Sequence, residues 1–278
     1  MEKTRNWLQM PEEIMGGMIL QRLNAVEILE SVQKVCRNWR RICKDPAMWK
    51  IIDMYHCFDG LSTHYVEKLS KEAVDRSCGE LIDITLNGFC TNDLLDYISR
   101  CSSKLNCVRL RDCYRITGYR LSNALKRLPH LETLELSCID ILKEDIEVIG
   151  RNCPQLNSFE IDKTKFADSD IHAHAIANSM PALRHLKLAG TMCGDDGVQA
   201  ILNGCPHLES LDICGCFYLC LDKKLEKLCR ERIKDFKYIC NNIPEGYEDI
   251  YDDAFCDCGG VSSDSDDFEG AIIEYYSL

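Results

Sequence analysis

The 278-residue sequence contains no run of eighteen apolar residues, so no membrane-spanning helix is expected. Its first residues, MEKTRNWLQMPEEIMGG, lack the apolar stretch of a secretory signal. No Gly-rich phosphate loop, G-x-S-x-G elbow or H-E-x-x-H pair is present, and the seven histidines are scattered. His172 and His174 stand two apart, which on a helix puts them on different faces. The chain is therefore read as non-catalytic. Basic charge is missing from the end: residues 241–278 hold eleven acids and no Lys or Arg. Subtracting those from 45 leaves 34 acids against 33 bases in residues 1–240, a nearly neutral body without the basic footprint of a nucleic-acid binder.

Cysteine, by contrast, is abundant at 19 residues. With no secretory signal expected, these thiols are read as reduced, in cytosol or nucleus, rather than as a disulfide scaffold. Cys214-x-Cys216-x-x-x-Cys220 and Cys256-x-Cys258 invite a metal reading. Neither forms the paired groups of a structural zinc site, so no metal is expected.

Six segments fit L-x-x-L-x-L: Leu81/Ile84/Leu86, Leu105/Val108/Leu110, Leu131/Leu134/Leu136, Leu156/Phe159/Ile161, Leu183/Leu186/Leu188 and Leu208/Leu211/Ile213. The period and motif are those of a leucine-rich repeat. The end of each motif alternates apolar with polar, which predicts a short strand with one face buried. The rest of each period has helical spacing, as in Leu94, Leu95 and Ile98. One strand–helix unit cannot cover its own apolar face, so the units must stack into a solenoid. Cys153-Pro154, Met180-Pro181 and Cys205-Pro206 punctuate helix ends, because proline cannot continue a helix. Cysteines at these positions, and at Cys101, Cys113 and Cys216, are read as small buried hydrophobes.

Ahead of the repeats, Ile14, Met18, Ile19 and Leu23 form one apolar stripe at helical spacing. Ile28, Leu29, Val32, Val35 and Cys36 form a second; Trp39, Ile42 and Trp49 follow. Three short helices are predicted. Met10-Pro11, then Val35-Cys36-Arg37-x-Trp39, then Asp45-Pro46 and Trp49 resemble an F-box, and with the repeats behind it the chain resembles the plant-type F-box/LRR-repeat proteins with cysteine-containing repeats. That resemblance covers about residues 7–235. It implies a substrate-recognition subunit of a Skp–cullin–F-box ubiquitin ligase, which binds a Skp-type adaptor and through it cullin and RING subunits. Carried onto this sequence, the adaptor-facing residues are Met10, Pro11, Ile14, Leu20, Leu23, Ile28, Val35, Cys36 and Trp39. Gly16-Gly17 departs from the pattern, at an expected cost of about 1–2 kcal/mol in helix stability. It keeps a second reading open: a repeat scaffold whose F-box no longer engages the adaptor.

The expected architecture is thus α/β: a three-helix F-box at 7–53, an irregular capping repeat at 54–78, about six repeats with a capping helix at 79–236, and a disordered acidic tail at 241–278. Trp49, Ile52 and Met54 also mimic the first strand of a repeat and Tyr65 to Val74 has helical character, so the irregular capping repeat is expected to weld the F-box to the solenoid. The capping helix is expected over Leu221 to Phe236, and its interspersed charges read as a solvated surface. Alternation places Arg109, Arg111, Glu135, Glu160, Asp162, His185, Lys187 and Asp212 on the concave strand face, with Cys107 beside them. They form bands of alternating sign on which an unidentified client protein is expected to lie. No cofactor, nucleic acid or membrane enters this reading. Some relatives with longer solenoids hold a small hormone, but no basic cluster for a phosphate cofactor accompanies these six repeats.

Overall fold

The structure is a computed structural model that describes residues 14–55, 61–162, 170–216 and 219–239, all within one compact unit ending at Asn242. The expected tail at 241–278 lies outside the described residues.

The N-terminal part is helical. α1 (15–22) passes from a π-helical turn, Met15–Ile19, into a 3-10 turn, Leu20–Arg22. α2 (25–35) opens on a capping box in which Asn24 accepts from the Glu27 amide at 2.9 Å and Glu27 accepts from the Asn24 amide at 3.1 Å. α3 is Arg37–Ile42. Trp49 lies beyond α3 in a separate 3-10 turn, Pro46–Trp49, where Asp45 caps and Pro46 opens the turn. Gly16 is better than a mere cost to α1. A Cβ there would stand 3.1 Å from Ile42 and 3.3 Å from Met48, so glycine lets α1 approach the third helix and the turn closely.

Eight strands follow in one parallel sheet, each pairing with the next in sequence: β1 Ile51–Asp53, β2 Asp83–Asn87, β3 Cys107–Arg111, β4 Thr133–Ser137, β5 Ser158–Asp162, β6 His185–Ala189, β7 Ser210–Asp212 and β8 Asp235–Lys237. Between them run α4 Thr63–Arg76, α5 Asn92–Cys101, α6 Gly118–Leu125, α7 Lys143–Asn152, α8 Ile171–Ser179, α9 Asp195–Gly204 and α10 Lys223–Arg232. The strand mimicked by Trp49, Ile52 and Met54 is present, while the C-terminal end differs from expectation. β1 lies inside the expected F-box span, and its Ile52 sits in register with Ile84. The expected capping helix stops at Arg232, and β8 occupies its last residues. Ile233 and Phe236 stand 25 positions after Leu208 and Leu211, so the repeat period continues one unit beyond the six motifs.

Each rung is tied to the last by one backbone device. The carbonyl just before a strand accepts the amides of the next rung: Ile82 takes Asn106 and Cys107, Asn106 takes Glu132 and Thr133, and Glu132 takes Asn157 and Ser158. The series begins at Lys50, whose carbonyl accepts the Ile82 and Asp83 amides, so the helical module feeds directly into the sheet. Thiols stack in columns: Cys113 points at the Leu86 carbonyl and Cys216 at the Leu188 carbonyl of the preceding rung, while Cys153 and Cys205 do the same at helix ends. Burial raises three thiols: Cys153 to about 12, Cys205 and Cys216 to about 11. They are small apolar fillers and poor nucleophiles.

Candidate functional site

Two surfaces carry the residues that the sequence singles out. On the helical module, Met10 and Pro11 lie outside the described residues. The others separate by exposure. Leu20 and Ile28 are 1% and 4% exposed within the chain's own core, so they offer a partner shape rather than free area. Leu23 is half-buried and, with Ile28, lines a groove shared with Met48, Trp49, Ile51 and Ile82 at the edge of β1. Ile14 and Val35 remain open at 42% and 59%. Cys36 is half-buried beside Val35, and its thiol accepts the Trp39 amide at 3.5 Å as the cap of α3. Trp39 is half-buried too, yet its indole N–H is buried and finds no acceptor among the described residues. A buried donor without an acceptor costs about 1–3 kcal/mol, so it marks a position where an incoming acceptor gains most.

On the sheet, the alternation holds strand after strand: β2, β4 and β5 each bury their second and fourth residues and leave the others part-exposed. Arg109, Arg111, Glu135, Glu160, Asp162, His185, Lys187 and Asp212 therefore share one face. Cys107, in register beside Asp83, faces the same way but is buried. The bands of opposite charge do not stand free. Arg109 donates to Asp83 at 2.7 Å and to Glu135 at 2.9 Å. Arg111 donates to the second oxygen of Glu135, and its guanidinium lies 6.0 Å from the Tyr55 ring. Lys187 donates to Glu160 at 2.8 Å. Burial works against the Lys187 charge, but Glu160, with Asp162 and Asp212 nearby, raises its pKa overall. Rung-to-rung spacing of about 4.8 Å lets neighbouring long side chains meet, so bands read strand by strand become ion pairs across strands. Asp212 accepts the Cys214 amide at 3.0 Å, and His185 is exposed.

One apolar feature had no motif to announce it. Tyr114, Tyr119, Leu142, Ile171 and Met192 are exposed on segments that follow β3, β4, β5 and β6, all on the edge where strands pass into helices. Their signal was there in principle: apolar residues in loops or first helical turns, outside the repeat pattern.

Among the described residues no group of three His, Cys, Asp or Glu could hold a metal ion. Cys216 is buried, Cys214 half-buried and Cys220 exposed, so that trio does not converge; Cys256 and Cys258 lie outside the described residues. No described helix is long and apolar enough to cross a membrane.

A family model described as F-box-like matches residues 7–55. F-box protein SKIP19 of Arabidopsis thaliana is 42% identical over 275 residues, covering 96% of this chain and 89% of that protein. F-box/LRR-repeat protein 22 of the same plant is 37% identical over 281 residues, covering 99% of this chain and 88% of its own. F-box/LRR-repeat protein 23, also of Arabidopsis thaliana, is 43% identical over 242 residues, 85% of this chain; the match spans 54% of that protein, about half its length.

Proposed function

The chain belongs to the F-box/leucine-rich-repeat proteins, and on that premise we propose that it is the substrate-recognition subunit of a Skp–cullin–F-box ubiquitin ligase. F-box proteins generally serve as substrate receptors of such ligases. In this reading the helical module binds a Skp-type adaptor, and through it cullin and RING subunits, while the repeats hold a client protein. The chain itself performs no bond chemistry. It raises the client's effective concentration beside the charged enzyme. The proposed setting is nucleus or cytoplasm.

The observation that carries the adaptor half is the surface around α2 and α3. Val35 on α2 is an exposed apolar side chain, as is Ile14 at the start of α1, and the Trp39 indole donor on α3 has no acceptor among the described residues. A module that satisfied itself would bury both apolar side chains and pair the indole donor. Gly16 also supports this reading, since its closeness to Ile42 and Met48 makes it a packing residue rather than a sign of decay. For the client half, the paired charges on β2–β6 make an ordered polar platform, and the exposed apolar side chains of the loop edge lie beside it.

Retention of the full chain on an immobilised Skp-type adaptor tests the reading. Binding by the wild type, and its loss in Trp39→Ala, supports the receptor. Absence of any retention of wild type favours the alternative, a non-degradative repeat scaffold with a degenerate F-box.

A further inference from the structure

The junction between the helical module and the repeats is gathered on one side chain. Arg76 ends α4, the first helix of the repeat stack, and its side chain is 16% exposed. One nitrogen donates to the Cys43 carbonyl at 3.1 Å, at the end of α3. The other donates to Gln33 Oε1 of α2 at 2.9 Å and to Glu72 of its own helix at 2.6 Å. The guanidinium also lies 5.4 Å from the centre of the Trp49 ring, on the 3-10 turn. The same Cys43 carbonyl accepts the Trp49 indole at 2.9 Å, so both groups converge on one acceptor.

Three separate pieces of the helical module therefore meet on one planar cation that belongs to the repeats. A second link, Tyr65 of α4 donating to Glu30 of α2, lies on the same helix pair. The backbone adds a tie through β1 and the Lys50 carbonyl, and one apolar core runs from Met15, Leu20 and Trp49 into Val66 and Leu69 of α4. Apolar contacts are non-directional and hold the two parts together without fixing their angle; a guanidinium fixed in three directions fixes it. Lysine could not replace it, because a single ammonium cannot stack on Trp49 and also reach Gln33 and Cys43 in a fixed fork.

We propose that Arg76 is a positioning residue: it sets the angle at which the repeats present a client relative to the adaptor-binding helices. The proposal rests on the substrate-receptor reading, because that angle matters only if one end is anchored and the other carries cargo. Its role is distinct from simple stability, and so is its signature. Loss of Arg76 leaves both modules folded but lets them swing.

The test uses the full chain with donor and acceptor fluorophores on azidophenylalanine placed at Lys44 and Gln199, both exposed, since nineteen cysteines preclude thiol labelling. The wild type is expected to give one narrow distance distribution. Arg76→Ala and Arg76→Lys are expected to broaden and shift it, and Gln33→Leu to broaden it less, while circular dichroism stays native. A folded Arg76→Lys or Gln33→Leu protein with the wild-type distribution overturns the proposal, and so does a lowered Tm with no change in distance. Retention on a Skp-type adaptor is measured on the same samples. Loss of retention by the wild type would remove the receptor reading while leaving the hinge measurement intact.

Discussion

Val35→Asp separates adaptor binding from folding. Val35 is 59% exposed at the last turn of α2. Fully covering a valine side chain is worth about 1.5–3 kcal/mol, so the share still open offers a partner roughly 1–2 kcal/mol. Aspartate forfeits that gain and brings a carboxylate that must be desolvated without a designed partner, which costs about 1–3 kcal/mol more. The sum, about 2–5 kcal/mol, weakens binding by roughly 30-fold at its low end. In the free chain the same change meets solvent. Its main penalty is a negative charge near a helix C-terminus, about 0.3–1 kcal/mol. That moves Tm by only a few degrees, about 2–4 °C per kcal/mol at this size. Titration calorimetry against a purified Skp-type adaptor, with thermal unfolding run in parallel, measures both. Unchanged affinity at unchanged Tm would refute the placement of Val35 in the adaptor surface. A large fall in Tm would refute the claim that Val35 does no work in the free fold.

Three further outcomes follow from the packing and charges. Glu160→Lys with Asp162→Lys breaks the Lys187 pair and should abolish client capture by proximity labelling, while costing only about 1–2 kcal/mol of stability because the pair is part-exposed; capture that survives moves the client to the loop edge. Gly204→Ala should destabilise by about 1–2 kcal/mol in urea unfolding, since overpacking at about 1–3 kcal/mol exceeds a helix-propensity gain of about 1 kcal/mol; a Cβ there would stand 2.7 Å from the Ala177 Cα, and a rise in stability would contradict this. His172 is buried with Nε2 donating to the Ile141 carbonyl at 3.0 Å, and burial holds its pKa below the usual 6.5. The unfolded chain then binds the extra proton more readily, so stability present above pH 6.5 is lost as pH falls below it. His172→Gln should flatten that slope; an unchanged slope would assign the effect elsewhere.

Much of this protein is written in its spacing. Six motifs at near-constant period fix six of the eight strands, because a unit that cannot cover its own apolar face has to stack on a copy of itself. The alternation within each motif also fixes which side chains share one face of the sheet. Of the outermost strands, the first was legible, because Trp49, Ile52 and Met54 mimic a repeat strand and Ile52 keeps its register. The last was missed. Phe236 keeps the register of the repeat, but its neighbours are a run of charges, so local composition points away from strand and pairing with the adjacent rung overrides it.

What the sequence could not decide was which partner each side chain takes. Arg109, Glu135 and Lys187 read as bands of free charge, yet residues some 25 positions apart become neighbours at strand spacing, and the charges satisfy one another. Gly16 read as a weakness until Ile42 and Met48 came to lie against it. Leu20 and Val35 both carry over as adaptor-facing residues, and only packing tells the core residue from the exposed one. Periodicity is a one-dimensional property, so the sequence determines the stack by itself. Exposure and pairing depend on distances between residues remote in the chain, and these exist only once the stack has formed.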